Sequence, residues 1–247
     1  MTERSSHADR NLHVKGLVNA RDLGGLRRRG GSLTPRGVFF RSENVDFVTP
    51  EGWEQIYDAG IRTVVDLRQK RERKRRFGKR PRWLTTQFVD LDYFENNEFW
   101  KSYRDGGLIS TALYYSAHLE AMPEQSVAAL TAIVEAPEGG VLFHCMHGRD
   151  RTGMIAMLLL SSAGVEPDDI VDDYLETVRR GDIRAVWSYR NNDEPAIEAY
   201  CQSLGTTTEG AFRSALAALD VNRVLVEGRM TDHAREALRT WRGSIVV

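Results

Sequence analysis

Residues 139–153 decide the fold: Gly139-Gly140-Val141-Leu142-Phe143-His144-Cys145-Met146-His147-Gly148-Arg149-Asp150-Arg151-Thr152-Gly153. A glycine pair turns into Val141-Leu142-Phe143, a short apolar run that reads as a buried strand. Thr152 to Ala163 is a strongly apolar helix closed by Gly164. Cys145 to Arg151 is therefore a loop between a strand end and a helix start. Such a loop can turn several backbone N–H groups toward one point, where the helix dipole adds positive potential. Cys145 in that nest is favoured as a thiolate nucleophile. Arg151 offers a planar fork of donors suited to two phosphate oxygens. Met146, His147, Gly148 and Arg149 complete the expected phosphate cradle, with Gly148 letting the backbone pass close to the ligand. The step expected is in-line attack on phosphorus to give a phosphocysteine, which water then hydrolyses. Thr152 can donate its hydroxyl to the departing sulfur.

On either side of this stretch, strand-like and helix-like segments alternate, as in α/β folds. Thr49-Pro50-Glu51 reads as a helix start and Gly60 as its end. Ile61 to Leu67 follows as a buried strand, and Thr85 to Leu91 as a weaker one. Leu108 to Val134 reads as helical, interrupted at Pro123, with further helices expected at 167–179, 194–203, 208–219 and 231–241. The expectation is a central, mostly parallel sheet of about four or five strands flanked by helices. Residues 1–12 are expected as a disordered lead-in and 13–247 as a single domain.

The chain has 247 residues, enough to bury a sizeable core. Its 34 Lys and Arg against 35 Asp and Glu leave a formal net charge of −1, so a global attraction to nucleic acid is not expected. Two cysteines, Cys145 and Cys201, make a disulfide framework implausible and point to a reducing compartment. No apolar run approaches the ~20 residues needed to cross a bilayer, and no signal-peptide core is visible. A cytoplasmic location without integral membrane contact is expected; export without a signal peptide stays open. Residues 68–82 are locally extreme, since Glu72 is their sole acid. They read as a solvated face or as a rim that attracts anionic surfaces.

Three further motifs join the loop. They are Asn19-Ala20-Arg21-Asp22-Leu23-Gly24-Gly25, Phe40-Arg41-Ser42, and Thr63-Val64-Val65-Asp66-Leu67-Arg68. With Cys145 to Arg151, they resemble the Cys-x5-Arg cysteine phosphatases, and more narrowly the bacterial tyrosine and lipid phosphatases of the mycobacterial tyrosine phosphatase B type. The resemblance covers about residues 13 to 180 well. It implies activity on protein phosphotyrosine, often on phosphoserine or phosphothreonine, and in some members on phosphoinositides. Members acting on phosphoinositides usually carry Lys-Asp-Arg in the loop, where this chain has Arg149-Asp150-Arg151. A forked guanidinium there replaces a point charge. The resemblance also suggests a helical lid over about 94–135.

The leaving group needs a proton donor within hydrogen-bond reach. The resemblance favours Asp150; Asp66, at the end of a strand beside the active-site strand, is the next candidate, followed by Asp90 and Asp92. Arg21 and Asp22 either hold the phosphate loop or brace a turn before Gly24-Gly25; bracing is the favoured reading, with substrate contact open to Arg21. His144 is expected to be a buried residue bonding the loop. His147 and His144 bracket Cys145, yet no second cluster completes a metal site, so neither metal nor cofactor is expected. Tyr114-Tyr115 and Phe99-Trp100 read as core or lid packing, and Cys201 as a partly buried small residue. Two other readings fit a loop cysteine: a phosphate-binding module without turnover, and a rhodanese-type sulfurtransferase.

Overall fold

A computed structural model describes residues 9–75, 80–93 and 97–245. Five strands form one sheet: β1 (Arg21–Asp22), β2 (Phe39–Ser42), β3 (Ile61–Asp66), β4 (Thr85–Phe88) and β5 (Gly140–His144). Their order is β1-β2-β5-β3-β4; only the β1–β2 pair is antiparallel. The α/β class and the mostly parallel sheet are as the sequence implies. Eleven α-helices are described: α1 (Pro50–Asp58), α2 (Asn97–Asp105), α3 (Tyr115–Ala121), α4 (Pro123–Val134), α5 (Asp150–Ser162), α6 (Pro167–Arg179), α7 (Gly181–Ser188), α8 (Glu194–Ser203), α9 (Thr208–Ala218), α10 (Val221–Glu227) and α11 (Asp232–Arg239). Thr49 caps α1 through its hydroxyl, which accepts from the Gly52 N–H at 3.0 Å.

The inner strands β2, β3 and β5 are buried because both faces of the sheet are covered there, as parallel sheets require, whereas β4 at the edge is largely exposed. Side chains alternate between the faces. Phe39, Val65, Val141 and Phe143 enter a large core that also holds residues of α4, α5, α6, α9, α10 and α11. Phe40, Val64 and Leu142 enter a smaller one with Trp53 and Ile56 of α1. Strand β5 is central, with His144 in register with Ser42 on one side and Asp66 on the other. The C-terminal ends of the parallel strands thus meet at one edge of the sheet, where such folds place ligands.

Two expectations change. Residues 1–8 of the expected lead-in lie outside the described residues, but 10–12 are bound to the body of the protein. The Leu12 N–H donates to the Ala20 carbonyl at 3.0 Å, and Arg10 reaches Asp173 at 3.0 Å. The span read as a lid is not uniform either. Residues 94–96 lie outside the described residues, and α4 is a core helix, with Val127, Leu130 and Ile133 buried in the large cluster. Among the described residues no helix is long and apolar enough to cross a membrane.

Candidate active site

The phosphate loop, residues 145–149, is held from outside. The Cys145 carbonyl accepts from Nδ1–H of His144 at 2.9 Å. The Met146 carbonyl accepts from the backbone N–H and the Nδ2 of Asn44, at 3.1 and 3.0 Å. Nδ2 of Asn19 reaches the His147 carbonyl at 3.4 Å, and Nη2 of Arg41 donates to the Gly148 carbonyl at 2.7 Å. One residue into α5, the Asp150 carbonyl takes the Tyr115 hydroxyl at 2.7 Å. With these carbonyls tied back, the backbone N–H groups of residues 146–151 have no acceptor among the described residues. Consecutive N–H groups left over at a helix start form an anion nest. Gly148 is required there: its φ is +68°, and a Cβ on it would stand 2.5 Å from the Ser42 carbonyl oxygen.

The braces come from the motifs noted in the sequence. Arg41 and Arg21 are buried and share Asp173 of α6, at 2.6 and 2.9 Å. Arg21 also bonds Asn19 and Thr177. Buried and held by these partners, it is placed as a strut behind the loop. Asp22 braces the turn as expected, accepting from Gly24 and Gly37. His144 is fully buried, and burial pushes its imidazole down to about 4 against the pull of Asp66, so it is neutral.

The chain puts one group after each parallel strand at the ligand edge. Cys145, 3% exposed, follows β5. Asn44 follows β2. Glu72 follows β3 and meets Arg151 with both oxygens, at 2.6 Å to Nη1 and 2.8 Å to Nη2. Asp92 follows β4, 3.3 Å from Nε of the same guanidinium. Burial pushes the Asp92 carboxyl up to about 6; Arg151 opposes this, and Glu72, Asp90 and Asp150 reinforce it. Its Oδ1 is buried without a hydrogen-bond partner. Trp100 holds the Asp92 carbonyl through its indole N–H at 2.6 Å, and His118 holds that of Leu91 at 3.2 Å. The aromatic pairs thus pack the core and fix the loop that carries Asp92. Thr152 is fully buried and its hydroxyl lacks a partner among the described residues.

Three expected roles are not supported. Asp66 is fully buried and bonds Arg68 at 2.9 Å and Arg80 at 3.2 Å. Burial alone would raise its carboxyl, but His144, protonated at the low pH where this aspartate titrates, and Arg68 outweigh it and hold the group well below the usual carboxylate range. An aspartate kept ionised has no proton to give, so Asp66 is a structural anion. Asp150 has its Oδ1 engaged by Nη1 of Arg149 at 2.7 Å. Arg149 itself is 3% exposed; its side chain bonds Glu194 at 2.9 Å and the Ser110 carbonyl at 2.6 Å, so it ties the loop to α8 and does not open onto it. The basic run is likewise partly internal: Arg68 is fully buried against Asp66 and Asp46. Its residues 76–79 lie outside the described residues. Sequence reading missed Glu72, Asn44, Asp173 and Glu194; being the sole acid of a basic run after a strand was the available signal for Glu72.

Fold and loop together define a Cys-x5-Arg phosphate-loop protein. A family model described as "Tyrosine phosphatase family" matches residues 12–241. The chain belongs to that family. It is 31% identical over 169 residues to a Cupriavidus necator protein assigned as a tyrosine-protein phosphatase, covering 66% of this chain and 62% of the relative. A Nostoc commune tyrosine-protein phosphatase is 30% identical over 57% of this chain and 48% of its own length. The triple specificity protein phosphatase PtpB of Mycobacterium tuberculosis is 30% identical over 67% of this chain and 70% of its own. The chain thus spans between about half and about two thirds of the length of the relatives it matches.

Proposed function

We propose that this protein is a cysteine-dependent phosphomonoesterase acting on protein phosphotyrosine. The observation that carries this reading is the set of unpaired N–H groups at residues 146–151, turned in around Cys145 by carbonyls fastened outside. The nest and Arg151 bind the phosphate dianion. The Cys145 thiolate attacks phosphorus in line, and the bond to the leaving oxygen breaks as Asp92 gives that oxygen its proton. Asp92 replaces Asp150 in this role because it stands at Arg151, the phosphate-binding group, and is half protonated near pH 6. Water then attacks the phosphocysteine, Asp92 takes its proton, and the thiolate leaves with the Thr152 hydroxyl turned to it. Esters of serine, threonine or inositol are further substrates on this reading. Arg149 is engaged by Glu194, which gives it no part in choosing among them.

Turnover of p-nitrophenyl phosphate and of a phosphotyrosine peptide tests the reading. Cys145→Ser is expected to fall to background on both. A serine variant that kept the wild-type rate would sink the hydrolase.

A further inference from the structure

Beside the phosphate loop lies a cavity of about 100 Å³ between the loop and the α7–α8 connection; His147, Arg149 and Asp150 line it on one side, Arg184 and Arg190 on the other. Its charges are not alike. Arg149 and Arg184 share the carboxylate of Glu194. Nη2 of Arg149 is buried there without a hydrogen-bond partner, its guanidinium 5.6 Å from the Tyr174 ring centroid. Arg190 is exposed and has no carboxylate in ion-pair reach among the described residues. Burial lowers the affinity of His147 for a proton, with Arg184 and Arg190 acting in the same direction and Asp150 against them, so both arginines act on the cavity wall that adjoins the loop. Asp193 also lines it and offsets part of that charge.

We propose that Arg190 reads a second phosphate on a peptide substrate, at a subsite next to the one that holds the scissile phosphotyrosine. The proposal rests on the phosphatase reading above. A guanidinium without a carboxylate, at the rim of a narrow polar cavity, is suited to a second phosphate. In an extended peptide, residues two apart lie about 7 Å from each other, a spacing that puts neighbouring phosphates in neighbouring subsites. The loop's own second arginine is held by Glu194 and Ser110, which leaves only its buried Nη2 without a partner, so the exposed Arg190 carries the subsite. Val186 and Tyr189, both exposed beside Arg190, give the peptide an apolar flank.

The test compares kcat/KM for a singly phosphorylated tyrosine peptide with that for the same peptide carrying a second phosphotyrosine two residues away. In wild type the doubly phosphorylated peptide is preferred. Arg190→Gln is expected to lower that preference about tenfold, the worth of one charge-assisted hydrogen bond. Arg190→Lys keeps most of it, and Arg213→Ala on α9 leaves the ratio as it is. Equal losses on both peptides, or an unchanged ratio, would overturn the subsite. A loss confined to soluble inositol bisphosphates over monophosphates would overturn the peptide assignment. Failure of the hydrolase reading shows separately, as turnover by Cys145→Ser.

Discussion

Glu72 grips both terminal nitrogens of Arg151, which fixes the plane of the guanidinium and leaves its Nε edge toward Asp92. A bidentate carboxylate sets direction as well as charge. In the proposed reaction Glu72 would act through Arg151, as a positioning residue. Glu72→Gln keeps the shape and loses the charge; kcat/KM on p-nitrophenyl phosphate is expected to fall about tenfold or more, with Glu72→Ala worse. A purely structural role would show the same loss of Tm in both variants and no graded loss in kcat/KM. Asp92 makes a sharper prediction. Its carboxyl is raised to about 6, so its proton is present below that pH and lost above it. Turnover that depends on this proton falls about tenfold per pH unit above pH 6. Asp92→Asn is expected to lower kcat by about 10²–10³ and to abolish that limb. A limb that survives in Asp92→Asn and vanishes in Asp150→Asn would move the donor into the loop.

At the scale of elements, the nucleophile loop was legible because everything that builds it is local: an apolar strand, glycines at positive φ on either side of it and a helix start lie within fifteen residues. The struts were not, because they are distant in sequence. Asp173 sits on α6, 132 residues from Arg41, and nothing in the run Val171-Asp172-Asp173-Tyr174 says which aspartate points inward. Strand β1 escaped notice because it is two charged residues, Arg21 and Asp22. Helices α7 and α10, of eight and seven residues, escaped notice as well. Helix α4 was placed in a lid although its Val127, Leu130 and Ile133 face the core. Asp173 links α6 to the loop through Arg41 and Gly148 and is fully buried among Arg10, Arg21 and Arg41. Removing one partner of a buried ionic cluster leaves uncompensated charge and costs about 3–5 kcal/mol. Asp173→Asn is expected to lower Tm by roughly 6–12 °C for a chain of this size. It should also lower kcat, since Arg41 then loses its anchor. Unchanged Tm in a thermal melt would show that the cluster carries no such weight.

The net charge of −1 hides how the whole molecule spends its charges. Arg21, Arg41 and Arg68 are buried in ion pairs, and the catalytic edge is built from carboxylates and guanidiniums that face one another. Such an interior makes stability depend on pH. His144 and His118 are buried neutral, each with its imidazole lowered to about 4 by burial. Unfolded, each takes up a proton as pH falls below about 6.5. Because the folded value lies below the unfolded one, their contribution is complete above pH 6.5. It is lost as pH falls toward 4, by up to about 3 kcal/mol for each histidine. Asp92 works the other way: its folded value lies above the unfolded one, so it favours the folded state below about pH 4 and costs stability as pH rises toward 6. His147 adds to the histidines, while Asp22 and Glu43, also raised by burial, add to Asp92; the shifts of His144 and His118 weigh most, and the net slope is positive across this window. Urea midpoints measured from pH 7 to pH 4.5 are therefore expected to fall steadily. His118→Gln, which keeps a donor for the Leu91 carbonyl but does not titrate, should remove most of that fall, because Asp92 already offsets much of the other histidine. A variant that is as pH-sensitive as wild type would place the titration elsewhere in the interior.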